Sequence, residues 1–131
     1  MKQEDLLFTQ THEWLHLSEE DGQKVATVGL TDFALKQLND LVFVDLPETG
    51  RTLAAGESFG EIESVKSVSD IYSPVGGEIV DSNTSLSENL DRLSNDAYGD
   101  GWLIKVNVTD DSSLSEMMSF ADYQKQCEEE G

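Results

Sequence analysis

The sequence predicts a mainly β chain, a small sandwich or barrel of short strands with helices at its periphery. Three observations carry that expectation. Valine, isoleucine and aromatic residues gather in short runs, not in long helical stripes. Gly, Pro, Asn and Asp corners interrupt those runs at close intervals. One run alternates cleanly: in "GWLIKVNV" (101–108) Trp102, Ile104, Val106 and Val108 share one face, and Leu103, Lys105 and Asn107 share the other.

Taken in order, "THEWLHLS" (11–18) alternates like an exposed edge strand. "KVATVGL" (24–30) is valine-rich and ends at a glycine-containing corner. "TDFALKQLND" (31–40) changes period: Thr31 is a plausible N-cap, and Ala34, Leu35, Leu38 and Leu41 fall on one helical face. "LVFVDL" (41–46) is β-branched and aromatic and stops at Pro47. "SFGEIESV" and "SVSDIYSPV" flank Lys66 as the arms of a hairpin, and "GGEIVDSN" follows. If Lys66 and Ser67 form the tip, Ile62 faces Ile71, Ser64 faces Ser69, and Glu63 opposes Asp70, a like-charge pair that disfavours a sheet. "SLSENLDRLSNDAYGDG" reads as a loop. "SLSE" (113–116) has capping-box spacing, Ser113 three residues before Glu116. "SFADYQKQCEEE" (119–130) is a last short helix with Tyr123 and Cys127 on one side. Its terminal acidic run opposes the helix dipole and is expected to fray. Phe8, Trp14 and Trp102 suit either a core or an interface.

The 131 residues suggest one domain, 1–131. A net charge of -19, from 8 basic and 27 acidic residues, argues against nucleic acid and against anionic membrane surfaces. It suits a protein that docks on basic rims of its partners. The single cysteine, Cys127, allows no intrachain disulfide and asks for no oxidising compartment. "MKQEDLLFTQ" reads as neither a signal nor a transit peptide, and no run approaches a membrane span. These features point to a bacterial cytoplasm, or to a mitochondrial matrix if a eukaryotic transit peptide has been removed.

Some motifs resolve to ordinary structure. "LPETG" (46–50) matches a bacterial sorting signal but lies mid-chain, so a proline turn after a strand explains it. "NTS" (83–85) and "NVT" (107–109) fit the glycosylation pattern at the level of chance. His12 and His16 lack a third metal ligand, and no nucleophile has a histidine base in any recognisable motif. An enzyme is therefore not expected.

Lys66 is different. No other basic residue lies between Arg51 and Arg92. Its neighbours Ser64, Val65, Ser67 and Val68 are small or β-branched and leave the ammonium open at the end of a ribbon. From these residues alone, a modified lysine and a plain interaction module with Lys66 unmodified both stay open.

Five segments, "FTQTHEWLHL", "VATVGLTDFA", "LVFVDLPETG", "GESFGEIESVKSVSDIYSPVGGEI" and "YGDGWLIKVNV", resemble in order the signature segments of glycine cleavage system H-proteins. The resemblance runs from about Phe8 to Tyr123, and the "ESVK…SD…SP…GE" block is specific to that family. It implies a lipoyl-domain-like barrel-sandwich hybrid with short peripheral helices, including a C-terminal one. It implies lipoate joined by an amide to Lys66, on a tether on the order of a dozen ångströms long. By the same resemblance, the arm takes an aminomethyl group from a pyridoxal-phosphate glycine decarboxylase to an aminomethyltransferase that uses tetrahydrofolate. Dihydrolipoyl dehydrogenase then reoxidises it. Lipoylating enzymes are the remaining partners, with Glu63 and Gly77 at the positions by which they recognise the family. Glu13 and Asp70, with Thr11, fall on motifs that imply a resting site for the loaded arm. The alternative within this frame is an H-like protein that relays lipoyl groups to other lipoyl domains. Phe33 departs from the His or Tyr of many members, Leu90 and Ala97 replace common prolines, and Ser67 replaces an alanine.

Overall fold

The computed structural model describes residues 5–38 and 40–130. The first four residues of the N-terminal reading, Asn39 in the 31–40 helix reading and the Ser113 side chain of the capping-box reading lie outside them. Nine strands and three α-helices occupy the described chain. They run β1 (Leu7–Phe8), β2 (Glu13–Glu20), β3 (Gln23–Leu30), α1 (Asp32–Leu38), β4 (Leu41–Asp45), β5 (Thr52–Leu53), β6 (Ser58–Ser64), β7 (Val68–Tyr72), β8 (Gly76–Ser82), α2 (Leu90–Asn95), β9 (Ile104–Asp110) and α3 (Phe120–Glu130). All pairings are antiparallel. One sheet has the order β1-β2-β3-β9-β8-β5 and the other β4-β6-β7. The mainly β expectation holds, and the helices lie at the periphery as foreseen.

Alternation explains where the core sits. Ala26 and Val28 on β3, Ile79 on β8 and Val106 on β9 meet Val44, Ile62 and Ile71 from the smaller sheet in one apolar cluster. A second cluster, Leu6, Phe8, Trp14 and Tyr123, seals the outer end of the larger sheet under α3. Its rings stack: Phe8 and Tyr123 lie 4.7 Å apart, nearly parallel. Phe8 and Trp14 therefore belong to the core.

Four local expectations are corrected. The strand at 13–20 is an exposed edge only in its second half: β1 pairs with Trp14 and Leu15, and β1 is itself backed where Phe8 and Met118 exchange backbone bonds of 2.9 and 2.8 Å. The stretch 85–101 is not a loop but contains a 3₁₀ turn (Thr84–Ser87) and α2. Leu86, Leu93 and Ala97 from it are buried. Their spacing together with Leu90 is helical, a stripe that the Ser, Asn and Asp around them conceal. The "SLSE" segment is a 3₁₀ turn beginning at Ser112. The C-terminal acidic run stays helical through Glu130, whose carboxylate lies 3.3 Å from His12 Nε2 and accepts a 2.8 Å bond from Gln126. The Thr31 cap is present: its Oγ1 accepts the Ala34 N–H at 3.2 Å.

Candidate functional site

The β6–β7 hairpin carries Lys66, in a register two residues away from the expected one. Glu63 pairs with Val68, Ile62 with Ser69, and Glu61 with Asp70. The tip is therefore Val65–Lys66, and the like-charge pair is Glu61 with Asp70 rather than Glu63 with Asp70. Neither tip residue has a positive φ, so this is not the Asn-Gly type of turn. Ser64 supplies the turn chemistry instead. Its buried hydroxyl accepts the backbone N–H of Lys66 (3.3 Å) and of Ser67 (3.2 Å), and donates to the Ser67 carbonyl (3.3 Å). A backbone bond from Ser64 N–H to Ser67 O at 2.8 Å closes the ring, and Val65 N–H is tied to Asp40 O at 3.1 Å. The tip is thus braced from within and from the start of β4.

Ser64→Ala removes one side chain that satisfies two tip amides. At about 1 kcal/mol per hydrogen bond, the substitution should loosen the tip selectively. Amide exchange at Lys66 and Ser67 should accelerate roughly tenfold, while amides of β3 and β9 keep their protection.

Lys66 is exposed. The ion pairs of the described residues join His12 to Glu130, Lys24 to Asp111, Lys36 to Asp32 and Arg51 to Glu57, and none engages Lys66. An unpaired ammonium on a braced tip is sterically and electrostatically open to a modifying enzyme.

Beside the tip lies a groove of about 300 Å³ lined by Thr11, Leu30, Leu38, Ile62, Ser69 and Asp70, among others. Thr11 also borders a second cavity of about 360 Å³, which Glu13, Tyr72 and Pro74 help to line. Of the predicted resting-site residues, Thr11 borders both cavities, Asp70 lines the first and Glu13 the second. Asp70 stands exposed at the rim on the edge strand β7, whereas Glu13 is only 1% exposed.

Glu13 is held in a tight turn. His12 takes a left-handed φ of 73° there, and Thr9 N–H bonds the Glu13 carbonyl at 3.0 Å. The Thr9 hydroxyl donates to Glu13 Oε1 at 2.7 Å, and Thr11 donates to the same oxygen. The other oxygen, Oε2, is buried without a hydrogen-bond partner, and the nearby Tyr72 backbone favours the charged form of the carboxylate. Burial raises the Glu13 pKa, and the two threonine hydroxyls oppose that shift without cancelling it. The result is a buried acceptor with an unused lone pair beside a cavity, suited to a cationic N–H donor.

Sequence reasoning did not find the C-terminal brace of this turn. His12 Nδ1 and Thr31 Oγ1 each lie 2.6 Å from the Tyr123 hydroxyl, joining β2, the cap of α1 and α3. Burial pushes the Tyr123 phenol far up, so it stays neutral. Phe33 packs its ring 5.1 Å from that of His12. The pairing of His12 with Tyr123 spans the chain and left no local signal. Gly77, the second predicted recognition residue, lies in the larger sheet on β8, where a Cβ would stand 2.0 Å from the Asn107 carbonyl oxygen on β9. The described residues hold no cluster of His, Cys, Asp and Glu that could bind a metal.

The family model described as glycine cleavage H-protein matches residues 6–130. A glycine cleavage system H protein of Rhodopirellula baltica is 55% identical over 126 residues, covering 96% of this chain and 95% of that protein. One from Rubrobacter xylanophilus is 47% identical over 127 residues, covering 97% and 95%. The crystal structure of a glycine cleavage system H protein from Mycobacterium marinum superposes with a TM-score of 0.83 at 39% identity, covering 94% of this chain and 96% of that one.

Proposed function

This chain belongs to the glycine cleavage H-protein family, and on that premise we propose that Lys66 is its lipoyl attachment point. The protein is a lipoyl carrier of the glycine cleavage system and not itself an enzyme. The observation that carries the assignment of Lys66 is its place: an unpaired cation at a braced tip, beside a groove whose Thr11 wall also borders the cavity of a buried carboxylate.

The donor set fits the group. Lysine offers a long stem and a nucleophilic amine, and attachment requires the neutral amine to attack an activated lipoyl acyl carbon. The C–N bond forms, the activating group leaves with its electron pair, and the nitrogen's proton passes to solvent. When attached, lipoate supplies a redox-active disulfide that carries a one-carbon amine between catalysts. The chain's own residues then do three things. Leu30, Leu38 and Ile62 give the arm an apolar wall. Glu13 Oε2 would accept from a cationic amine and favour its protonated form, and Asp70 would add a second negative charge at the rim. Thr11 keeps the Glu13 carboxylate oriented. A protonated nitrogen has no lone pair with which to expel the sulfur, so this arrangement protects the cargo.

The partners follow from the system: a pyridoxal-phosphate glycine decarboxylase, a tetrahydrofolate-dependent aminomethyltransferase, dihydrolipoyl dehydrogenase and the lipoylating enzymes. A cytoplasmic site of action agrees with the bacterial relatives, and no described helix is long and apolar enough to cross a membrane. Residues 1–131 form one carrier domain in this reading. Glu63 marks the hairpin directly, between Phe43 and Val68, and Gly77 acts through the backbone. Gly77→Ala should therefore lower the unfolding midpoint by several degrees, since overpacking costs about 1–3 kcal/mol. Lipoylation of the fraction that folds should keep a wild-type KM, which a titration with varied carrier concentration checks.

The intact mass of the natively expressed protein tests the assignment. A lipoyl adduct lost on Lys66→Ala supports it, and a bare chain from lipoate-replete cells overturns it. Rescue of a glycine-cleavage mutant separates the carrier from the relay alternative.

A further inference from the structure

The outward face of the β4-β6-β7 sheet is built against its own stability. Val42 and Phe43 both turn outward because the β4–β6 pairing shifts register between Leu41 and Phe43. Phe43 is 41% exposed, and Val65 and Val68 at the hairpin are 71% and 57% exposed. Pairing aligns Phe43, Glu63 and Val68 across the three strands, with Val65 at the tip beyond them. The next row on the same face is Asp45, Glu61 and Asp70, three exposed carboxylates on adjacent strands. Opposed like charges in a sheet are unfavourable, and no described cation pairs with them.

We propose that this face is the docking surface for the lipoate-attaching enzyme, its apolar strip meeting an apolar rim and its acidic row meeting lysines and arginines behind that rim. The proposal rests on the assignment of Lys66 and deepens it. The choice of occupant follows from reach. Enzymes that visit the loaded arm meet the end of a tether on the order of a dozen ångströms long, so they can stand away from the hairpin. The attaching enzyme must bring an acyl carbon within bonding distance of Nζ itself, which forces its surface onto Val65, Val68 and Phe43. Glu63 sits inside the strip, where such an enzyme can read it. A second copy of this chain does not fit, since each carries a net charge of -19.

The test uses the full-length, unmodified chain with lipoate, ATP and a lipoate-attaching ligase, followed by intact mass. Phe43→Ser with Val68→Ser should lower kcat/KM at least tenfold, mainly through KM, and Val65→Ser alone should lower it about threefold with no strand pairing disturbed. Val80→Ser, on another exposed valine, should change it less than twofold. Asp45→Asn with Glu61→Gln should slow attachment and flatten its dependence on salt, while the unfolding midpoint stays level or rises. Attachment within twofold of wild type for both the double serine variant and Val65→Ser overturns the proposal. Unchanged attachment with slowed reduction by glycine decarboxylase also overturns it, assigning the face to that partner. A wild-type chain that takes up no lipoate overturns the Lys66 assignment itself.

Discussion

Lys66→Arg should leave the fold unchanged and reduce lipoate attachment to background. The side chain is exposed and joins none of the ion pairs among the described residues, so the substitution should fall within about 0.5 kcal/mol in stability. Charge is preserved as well, which removes any trivial effect on docking. What changes is nucleophilicity. A guanidinium stays protonated and delocalised at any pH the protein survives, whereas an ammonium releases its proton often enough to attack an activated acyl group. The expected pattern is therefore a wild-type unfolding midpoint, no adduct in the intact mass, and no rescue of a glycine-cleavage mutant. An arginine variant that still supports glycine breakdown would remove the tether from the account altogether.

What the sequence revealed and what it hid divide along the range of the interactions. Alternation is a local property, so the β-rich class and the seats of β3, β4, β6, β7, β8 and β9 were legible from neighbours in sequence. The cap at Thr31 was legible for the same reason. The hairpin register was not, because it was read by placing Lys66 and Ser67 at the tip. Ser64 closes the turn through its hydroxyl, which moves the tip back by one residue and re-pairs both arms. Helix α2 was hidden by composition: Leu90 and Leu93 sit among Asp, Arg, Ser and Asn, and only their spacing with Leu86 and Ala97 betrays a buried stripe. Glu13 and Asp70 were named through the resemblance, but the unequal way they are held was beyond the sequence. One carboxylate is buried with an empty acceptor, and the other is exposed on an edge strand. Tertiary contacts such as His12 with Tyr123 leave no periodic trace.

That inequality gives the second prediction, in which stability and function move in opposite directions. Burial raises the pKa of Glu13. The folded state therefore binds its proton more tightly than the unfolded state does, and the associated stability is fully present below the unfolded carboxyl range. It is lost as pH rises through the raised folded value. Glutamine does not titrate, so Glu13→Gln should hold its stability through that window while the wild type declines. Denaturant unfolding from pH 4 to 8 should show the wild type losing ground to the variant as pH rises. The scale is about 1–3 kcal/mol, that of a buried polar atom left unsatisfied. The loaded carrier should behave in reverse. Under the proposed role, removing the Glu13 carboxylate deletes a charge-assisted bond worth about 1.5–3 kcal/mol, equivalent to ammonia released roughly 10 to 100 times faster. Asp70→Asn, at the exposed rim, should accelerate release only a few-fold, because solvent screens its charge. In the proposed resting site, the carboxylate buried against the stability of the empty protein is the one whose charge the bound cargo would neutralise. Ammonia release that is unchanged in Glu13→Gln would mean the amine rests elsewhere.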